Sequence, residues 1–457
     1  MSAERRAPAL STSLTQARVT RRSLTRPKTV VIVGAGLAGF RAAERLRERE
    51  FNGRIVIVGE EPHRPYNRTH LSKQMLAGPG RLDDLRLTSY RRLDAIWRLG
   101  RRAASIDPAR QILTLADGEE LRYDGLIAAT GVAPRFLAGS PMSSQYVWAL
   151  RDLRDGGAGG RRGHPRAPPN VVVGSGFIGC EVAASLRARG LQVSLVGRGD
   201  YLLGGAVGRM VGDVVTDLHH HHGVQLHLGR RPVAWDAADV AESSGHRDRA
   251  PRRGRIYRRG RAPVRMLLDD GTQISADLAV VAIGAVPAID WLRGSGLDHS
   301  DGLLTGPTTH AVGPGGPIDS IVAAGDMARW PNLLFDATPR RVEHWITAAE
   351  HGQAAADALL QGPYAAQPFM PLPRFWTEQH HVRIQSVGRP ALADDCAITE
   401  GSIRSMSFVA CYTRAGVVVG AVAFNASREL LDYANLIGLS PSGQIPAAPG
   451  TLAIGAG

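Results

Sequence analysis

Short apolar runs recur along this chain, in the same order in each of two halves. Thr29–Val33 is rich in β-branched residues and predicts a buried strand. It is followed at once by Gly34-x-Gly36-x-x-Gly39, then by a helical stretch with Ala and Leu on its inner face, then by a second strand, Arg54–Val58, ending in Gly59-Glu60-Glu61. The second half repeats the design: Asn170–Val173 as strand, Gly174-x-Gly176-x-x-Gly179 as turn, Cys180–Gly190 as helix and Gln192–Val196 as strand. Asp117-Gly118 and Asp270-Gly271 predict hairpin turns leading to GLIAATG (125–131) and LAVVAIG (278–284). The Gly-rich residues 155–169 predict a loop between the halves. A third unit begins after about residue 363, with strands such as Val382–Val387 and Val417–Phe424, and the Ala-, Gly- and Pro-rich end predicts a frayed tail.

Each glycine triplet directly follows a strand and opens a helix. The first glycine permits the tight turn, the second lets a pyrophosphate approach the backbone, and the third lets the helix pack on the sheet. The helix N-terminus then offers N–H groups and partial positive charge to phosphates. Two dinucleotide sites are expected. Glu60 and Glu61 lie about 20 residues beyond Gly39, the spacing of a ribose-binding carboxylate.

The length of 457 residues allows about three domains. No apolar run reaches the roughly 18 residues of a spanning helix, and the N-terminus lacks a secretory apolar core, so a cytoplasmic protein without membrane association is expected. The net charge of +13 is localised: residues 1–28 carry +6 and residues 246–265 carry +8, leaving the rest near −1. Both segments read as solvated, disordered appendages. A nucleic-acid role would rest on them alone. Cys180, Cys396 and Cys411 contain no Cys-x-x-Cys or Cys-x4-Cys pair, which excludes a dithiol relay of that kind. His219–His222 read as a solvated helix end, since adjacent helical residues diverge and no ligand cluster completes a metal site; His380-His381 read as rim residues. No metal is expected.

Further strings carry a resemblance. RPYNRTHLSK (64–73), AATGVAPR (128–135), AAGDMA (323–328), VEHWITAAEHGQAAA (342–356) and FWTEQHHVRIQSVG (375–388) resemble the FAD-dependent pyridine nucleotide oxidoreductases of the ferredoxin reductase type, over residues 28 to 435. The resemblance implies an α/β protein with two Rossmann-like dinucleotide-binding domains plus a C-terminal α+β interface domain. After a basic tail (1–28) it implies an FAD-binding domain split into 29–137 and 287–362. An NAD(P)-binding domain (138–286) carries the Arg-rich insertion 246–265, and the interface domain spans 363–457. FAD would rest on Gly34, Gly36 and Gly39, with Glu60 or Glu61 on the adenosine ribose. Arg68 and Lys73 would lie along the flavin and its phosphates, Thr130, Gly131 and Arg135 in the crossover motif, and Asp326, Glu343 and Trp345 beside the cofactor. NAD(P)H would rest on Gly174, Gly176, Gly179, Arg198 and Gly284. Glu181 would pair with Lys73 at the flavin edge and meet the nicotinamide carboxamide. Lys73, Glu181, Trp345 and Trp376 would form the catalytic surroundings, with Trp376 nearest the docking face for an iron–sulfur protein. Arg383 and Arg389 follow Trp376 closely in the sequence and could face an acidic partner of that kind.

The implied activity is hydride transfer from NAD(P)H to FAD, then single-electron transfer to a ferredoxin-type protein that feeds an oxygenase such as a cytochrome P450. An NAD(P)H oxidase or quinone reductase of the same fold is the alternative, and a flavoprotein scaffold binding nucleic acid a lesser one; monomer and homodimer both stay open. Two departures stand out. The family's Pro-Pro before Leu-Ser-Lys is Thr69-His70 here. Where NADH-specific relatives place Glu, this chain has Gly197 followed by Arg198, which leans towards NADPH or dual use, although Asp200 could reach a ribose.

Overall fold

The computed structural model describes residues 27–77, 82–142, 144, 146–153, 169–237 and 263–437. Most of the basic tail 1–28, the Gly-rich loop 155–169, the Arg-rich insertion 246–265 and the frayed C-terminal tail lie outside the described residues. Three sheets organise the rest.

Strand β1 (Thr29–Val33) lies between β2 (Arg54–Gly59) and Gly125–Ala128, parallel to both. Helix α1 (Leu37–Glu48) links β1 to β2. The strand Gly316–Ala323, far along the chain, pairs parallel with Gly125–Ala128 and completes a six-stranded sheet. Val30, Val31 and Ile32 are fully buried because helices or strands cover both faces, as a parallel sheet requires. Helix Trp345–Gln361 packs against α1, and Arg45 joins it through a bidentate contact with Asp357.

The second sheet repeats this plan with five parallel strands. β3 (Asn170–Val173) lies between β4 (Val193–Gly197) and Leu278–Val281, flanked by Gln225–Leu228 and Val147–Ala149. Helix α2 (Phe177–Ala188) joins β3 to β4; it starts three residues earlier than its sequence pattern indicates, because Gly176 is its N-cap. The strand β4 is likewise shifted by one residue. Helix α3 (Gly204–His221) follows β4. Two crossover segments, Val132–Pro134 and Ala285–Pro287, pair antiparallel between the two units.

The expected insertion 246–265 extends too far. Val264 and Arg265 open a strand, Val264–Leu268, in which Val264 is buried opposite Ala237 and Ala276, and Arg265 binds the Asp236 carboxylate.

The C-terminal unit is a five-stranded antiparallel sheet with helix Leu430–Leu436 on one face. Its edge hairpin is β5 (Arg374–Gln379) and β6 (Val382–Gly388). The opposite face has no separate core: Ile384, Phe408, Tyr412 and Phe424 join Val207, Val211 and Val215 of α3 in one buried cluster. Within α3 the backbone is non-helical at Gly208, and the Tyr412 hydroxyl donates to the Val207 carbonyl there, 2.5 Å away.

Candidate functional site

The two glycine turns have the same construction. Gly34 and Gly174 adopt φ of +125° and +126°, and a Cβ on either would fall 2.0 Å from a carbonyl oxygen, of Ala129 or Ala282. A Cβ on Gly39 or Gly179 would fall 2.0 Å from the carbonyl oxygen of Gly34 or Gly174, so the helix sits directly on the turn. In front of Gly36 and Gly176 a Cβ would meet nothing within 4 Å. Both residues are helix N-caps without a side-chain cap, and neither first turn holds an acid. Open space, uncapped N–H groups and the absence of negative charge suit the diphosphate of a dinucleotide at each turn.

The strand ends after these turns differ in charge. Gly34 N donates to Val58 O and Gly174 N to Val196 O, both at 2.8 Å, so Gly59 and Gly197 are equivalent. A Cβ on either would lie within 2.7 Å of the side chain of Ala35 or Ser175. A side chain at Gly197 would therefore run into Ser175, and the first exposed residue beyond this strand is Arg198. The exposed partner of Glu60 in the second fold is Arg198. Glu61 is committed elsewhere: it accepts from the Tyr66 hydroxyl at 2.6 Å and pairs with Arg68. Arg68 also donates to the Arg151 carbonyl at 2.9 Å.

Three parts of the chain meet at Glu181, the fifth residue of α2. Its Oε1 lies 2.7 Å from Lys73 Nζ and accepts from the Thr377 hydroxyl at 2.7 Å; its Oε2 accepts from the Ser72 hydroxyl at 2.5 Å. Glu181 is buried, and these donors satisfy the charge that burial would otherwise penalise. The Thr69-His70 departure lies in a short turn, where Asn67 Oδ1 accepts from Thr69 N and Lys73 Nζ donates to Thr69 O. Ser72, Thr377 and Gln379 were not singled out by the sequence patterns, although Phe375, Thr377 and Gln379 alternate along β5 and so share one face.

One histidine of the run 219–222 differs from expectation. His219 is fully buried, not solvated; its Nε2 is 2.8 Å from Gln379 Oε1 and its Nδ1 is 3.2 Å from His380 Nε2. A helix end turned towards β5 supplies this burial. His220, His221 and His222 are exposed, and His222 stacks on His380 with ring centroids 4.1 Å apart. No cluster able to hold a metal occurs among the described residues.

The Thr130 hydroxyl donates to Ala288 O at 2.6 Å, and Arg135 N donates to Gly284 O at 3.0 Å; Gly131 and Gly284 both have positive φ. Asp326 follows Gly325 in a tight turn, and burial pushes its carboxyl up to about 6 against the pull of the Arg151 guanidinium. Glu343 is exposed and binds Arg341 Nη1 at 2.5 Å. Trp345 opens helix Trp345–Gln361, whose N-cap, His344, makes no side-chain cap, and the buried Thr347 hydroxyl has no partner among the described residues. This uncapped terminus and orphaned hydroxyl fit a bound polar ring. Trp345 and Trp376 meet edge to face at 6.0 Å. Arg383 is exposed; Arg389 is partly buried, which lowers its pKa.

Comparison with known proteins places these features. The pyridine nucleotide-disulphide oxidoreductase family matches residues 28–352, and the reductase C-terminal family matches residues 374–444. The chain is 32% identical over 415 residues to the biphenyl dioxygenase system ferredoxin–NAD(+) reductase component of Paraburkholderia xenovorans, covering 90% of this chain and 93% of that one. It is 31% identical to rhodocoxin reductase of Rhodococcus erythropolis, covering 88% and 87%. The structure is similar to putidaredoxin reductase in its covalent complex with putidaredoxin, with a TM-score of 0.79, 27% identity, and 90% and 93% coverage.

Proposed function

This chain belongs to the pyridine nucleotide-disulphide oxidoreductase family, and from that membership we propose that it is an FAD-dependent NAD(P)H:ferredoxin oxidoreductase serving an oxygenase. The observation that carries the reading is the pair of partly exposed Lys73 and buried Glu181, which joins the two nucleotide folds. No thiol relay accompanies it: the three cysteines are free, and burial pushes the Cys180 thiol far up. Electrons therefore leave to an external acceptor.

On this reading residues 29–137 and 287–362 form the FAD unit, 138–286 the NAD(P) unit, and the chain from 363 the interface unit. FAD, when bound, supplies the hydride acceptor and the source of single electrons. The protein's part is to bind, orient and exclude water. The Gly34–Gly39 turn and the α1 N-terminus hold one diphosphate, with Glu60 rather than Glu61 on its ribose. Asp326 and Trp345 line the same cofactor. The Gly174–Gly179 turn and Arg198 hold the nicotinamide nucleotide, and Arg198 favours the 2′-phosphate of NADPH. Lys73 and Glu181 fix the reacting edge. Trp376 shields the exit towards an iron–sulfur partner.

The test is reduction of a panel of [2Fe–2S] ferredoxins by the purified flavoprotein with NADH or NADPH. Ferredoxin-dependent turnover is the expected result. Peroxide formation under air that outruns every ferredoxin would make the protein an oxidase instead.

A further inference from the structure

A line of hydrogen bonds runs from Glu181 to the molecular surface. Thr377 donates to Glu181 Oε1 at 2.7 Å, and Gln379 Nε2 donates to the Thr377 hydroxyl at 3.1 Å. Gln379 Oε1 must then accept, which places the proton of His219 on Nε2, 2.8 Å away. Nδ1 of His219 is left bare and accepts from His380 Nε2 at 3.2 Å. Each donor points the same way, towards the carboxylate. Reversing the line would require turning the Gln379 amide and changing the tautomer of both imidazoles. Thr377, Gln379 and His219 are almost fully buried, so water cannot substitute for a missing link.

The far end of the line is held at an energetic cost. His380 and His381 form the two-residue turn between β5 and β6, with φ of +50° and +66°. Such turns favour Asn-Gly, because a side chain at positive φ is disfavoured. A histidine kept there has a use for its ring. The ring of His380 lies between His219, edge to face at 4.5 Å, and His222, stacked at 4.1 Å.

We infer that Gln379, His219 and His380 are positioning residues, which lock the Thr377 hydroxyl onto Glu181 and so hold its carboxylate against Lys73 in the orientation that receives the nicotinamide. The inference rests on the role proposed above for Glu181. It joins the C-terminal unit, which carries β5, to the geometry of the hydride-transfer site in the other two.

Two measurements on the FAD-loaded protein test it. The first is the imidazole 15N spectrum of histidine-labelled enzyme. It should show His219 as a neutral Nε2–H tautomer, and this signal should change in Thr377→Val. The second is stopped-flow flavin reduction. His219→Leu should slow reduction or weaken NAD(P)H binding by about tenfold. His219→Gln, which keeps a donor at similar reach, should restore it to within about threefold. Combining His219→Leu with Thr377→Val should be no worse than either alone, because links in one line are not additive.

A His219→Leu enzyme reduced at the wild-type rate would overturn the inference. So would an equal loss in His219→Gln, or losses that add in the double variant. Glu181→Ala with unchanged reduction would instead remove the role of Glu181, while the tautomer and its response to Thr377→Val still report on the line itself.

Discussion

Glu60 and Arg198 occupy the same position in two copies of one fold. Each follows a buried glycine at the end of the second strand, and each is exposed beyond a turn whose second glycine faces open space. The chain thus carries a carboxylate suited to a ribose hydroxyl in the first fold and a guanidinium suited to a phosphate in the second. Arg198→Glu should shift the ratio of kcat/KM for NADPH over NADH towards NADH by about 10- to 100-fold. Steady-state kinetics with both nucleotides checks this, and an unchanged ratio would place 2′-phosphate recognition elsewhere.

The Lys73–Glu181 pair leads to a second prediction. Glu181→Ala leaves the Lys73 ammonium and the hydroxyls of Ser72 and Thr377 without their shared acceptor. FAD should stay bound, and the first-order rate of flavin reduction should fall by about 10- to 100-fold. Retained flavin absorbance with slow bleaching in stopped flow is the expected signature; fast bleaching would show that the pair holds the units together without touching the chemistry.

Two glycines of one turn should fail differently. Gly34→Ala drives a methyl group into the Ala129 carbonyl at a backbone angle that alanine disfavours, so it should destabilise the folded chain by about 2–4 kcal/mol. Gly36→Val has room for its side chain in the protein, but fills the space assigned to the diphosphate. It should fold and lose FAD. Denaturation midpoints and flavin content of the two purified variants distinguish these outcomes.

Trp376 should separate two electron acceptors. Trp376→Ala should cut turnover with a cognate ferredoxin and spare NAD(P)H-dependent ferricyanide reduction, since a small acceptor needs no docking face. Equal loss in both assays would mean that the edge-to-face contact with Trp345 is purely structural.

Buried histidines set an acid limit. Burial lowers His219, His310 and His344 to about 4 and His351 to about 3. His351 stacks on Phe369 and meets Trp330 at a tilt, with no partner for either ring nitrogen among the described residues. The unfolded chain binds protons at these groups near pH 6.5, whereas the folded chain resists until pH 4 or below. Stability should therefore be constant above about pH 7 and fall as pH drops through that window, with each fully buried ring contributing about 1–2 kcal/mol at pH 5. His351→Phe should flatten the fall, measured as the difference in thermal midpoint between pH 7 and pH 5; an unchanged difference would mean that His351 does not control it.

What was legible in the sequence was local. Thr29–Val33 and its glycine turn are readable because β-branched residues, a tight turn and a helix start each leave a mark within a few residues. Asp117-Gly118 and Asp270-Gly271 fall between paired strands for the same reason. The burial of His219 is not legible locally, because it meets Gln379 from 160 residues away and no helical periodicity encodes that contact. The equivalence of Gly197 with Gly59 shows only through the hydrogen bond between Gly174 and Val196, since strand ends are set by pairing and not by composition. Thr377 carries no local mark of its role, because the Glu181 carboxylate that it binds lies 196 residues away.

The cluster shared by α3 and the C-terminal sheet bears on how such enzymes can be recombined. A cut near residue 363 looks clean along the chain, yet in space it leaves Ile384, Phe408, Tyr412 and Phe424 facing Val207, Val211 and Val215. A C-terminal unit grafted from another reductase would bring its own side chains to that seam and lose the Tyr412 hydroxyl from the break in α3 at Gly208. The exchangeable piece is therefore larger than the terminal segment: a chimera meant to serve a new redox partner has to carry the outward face of α3 with it.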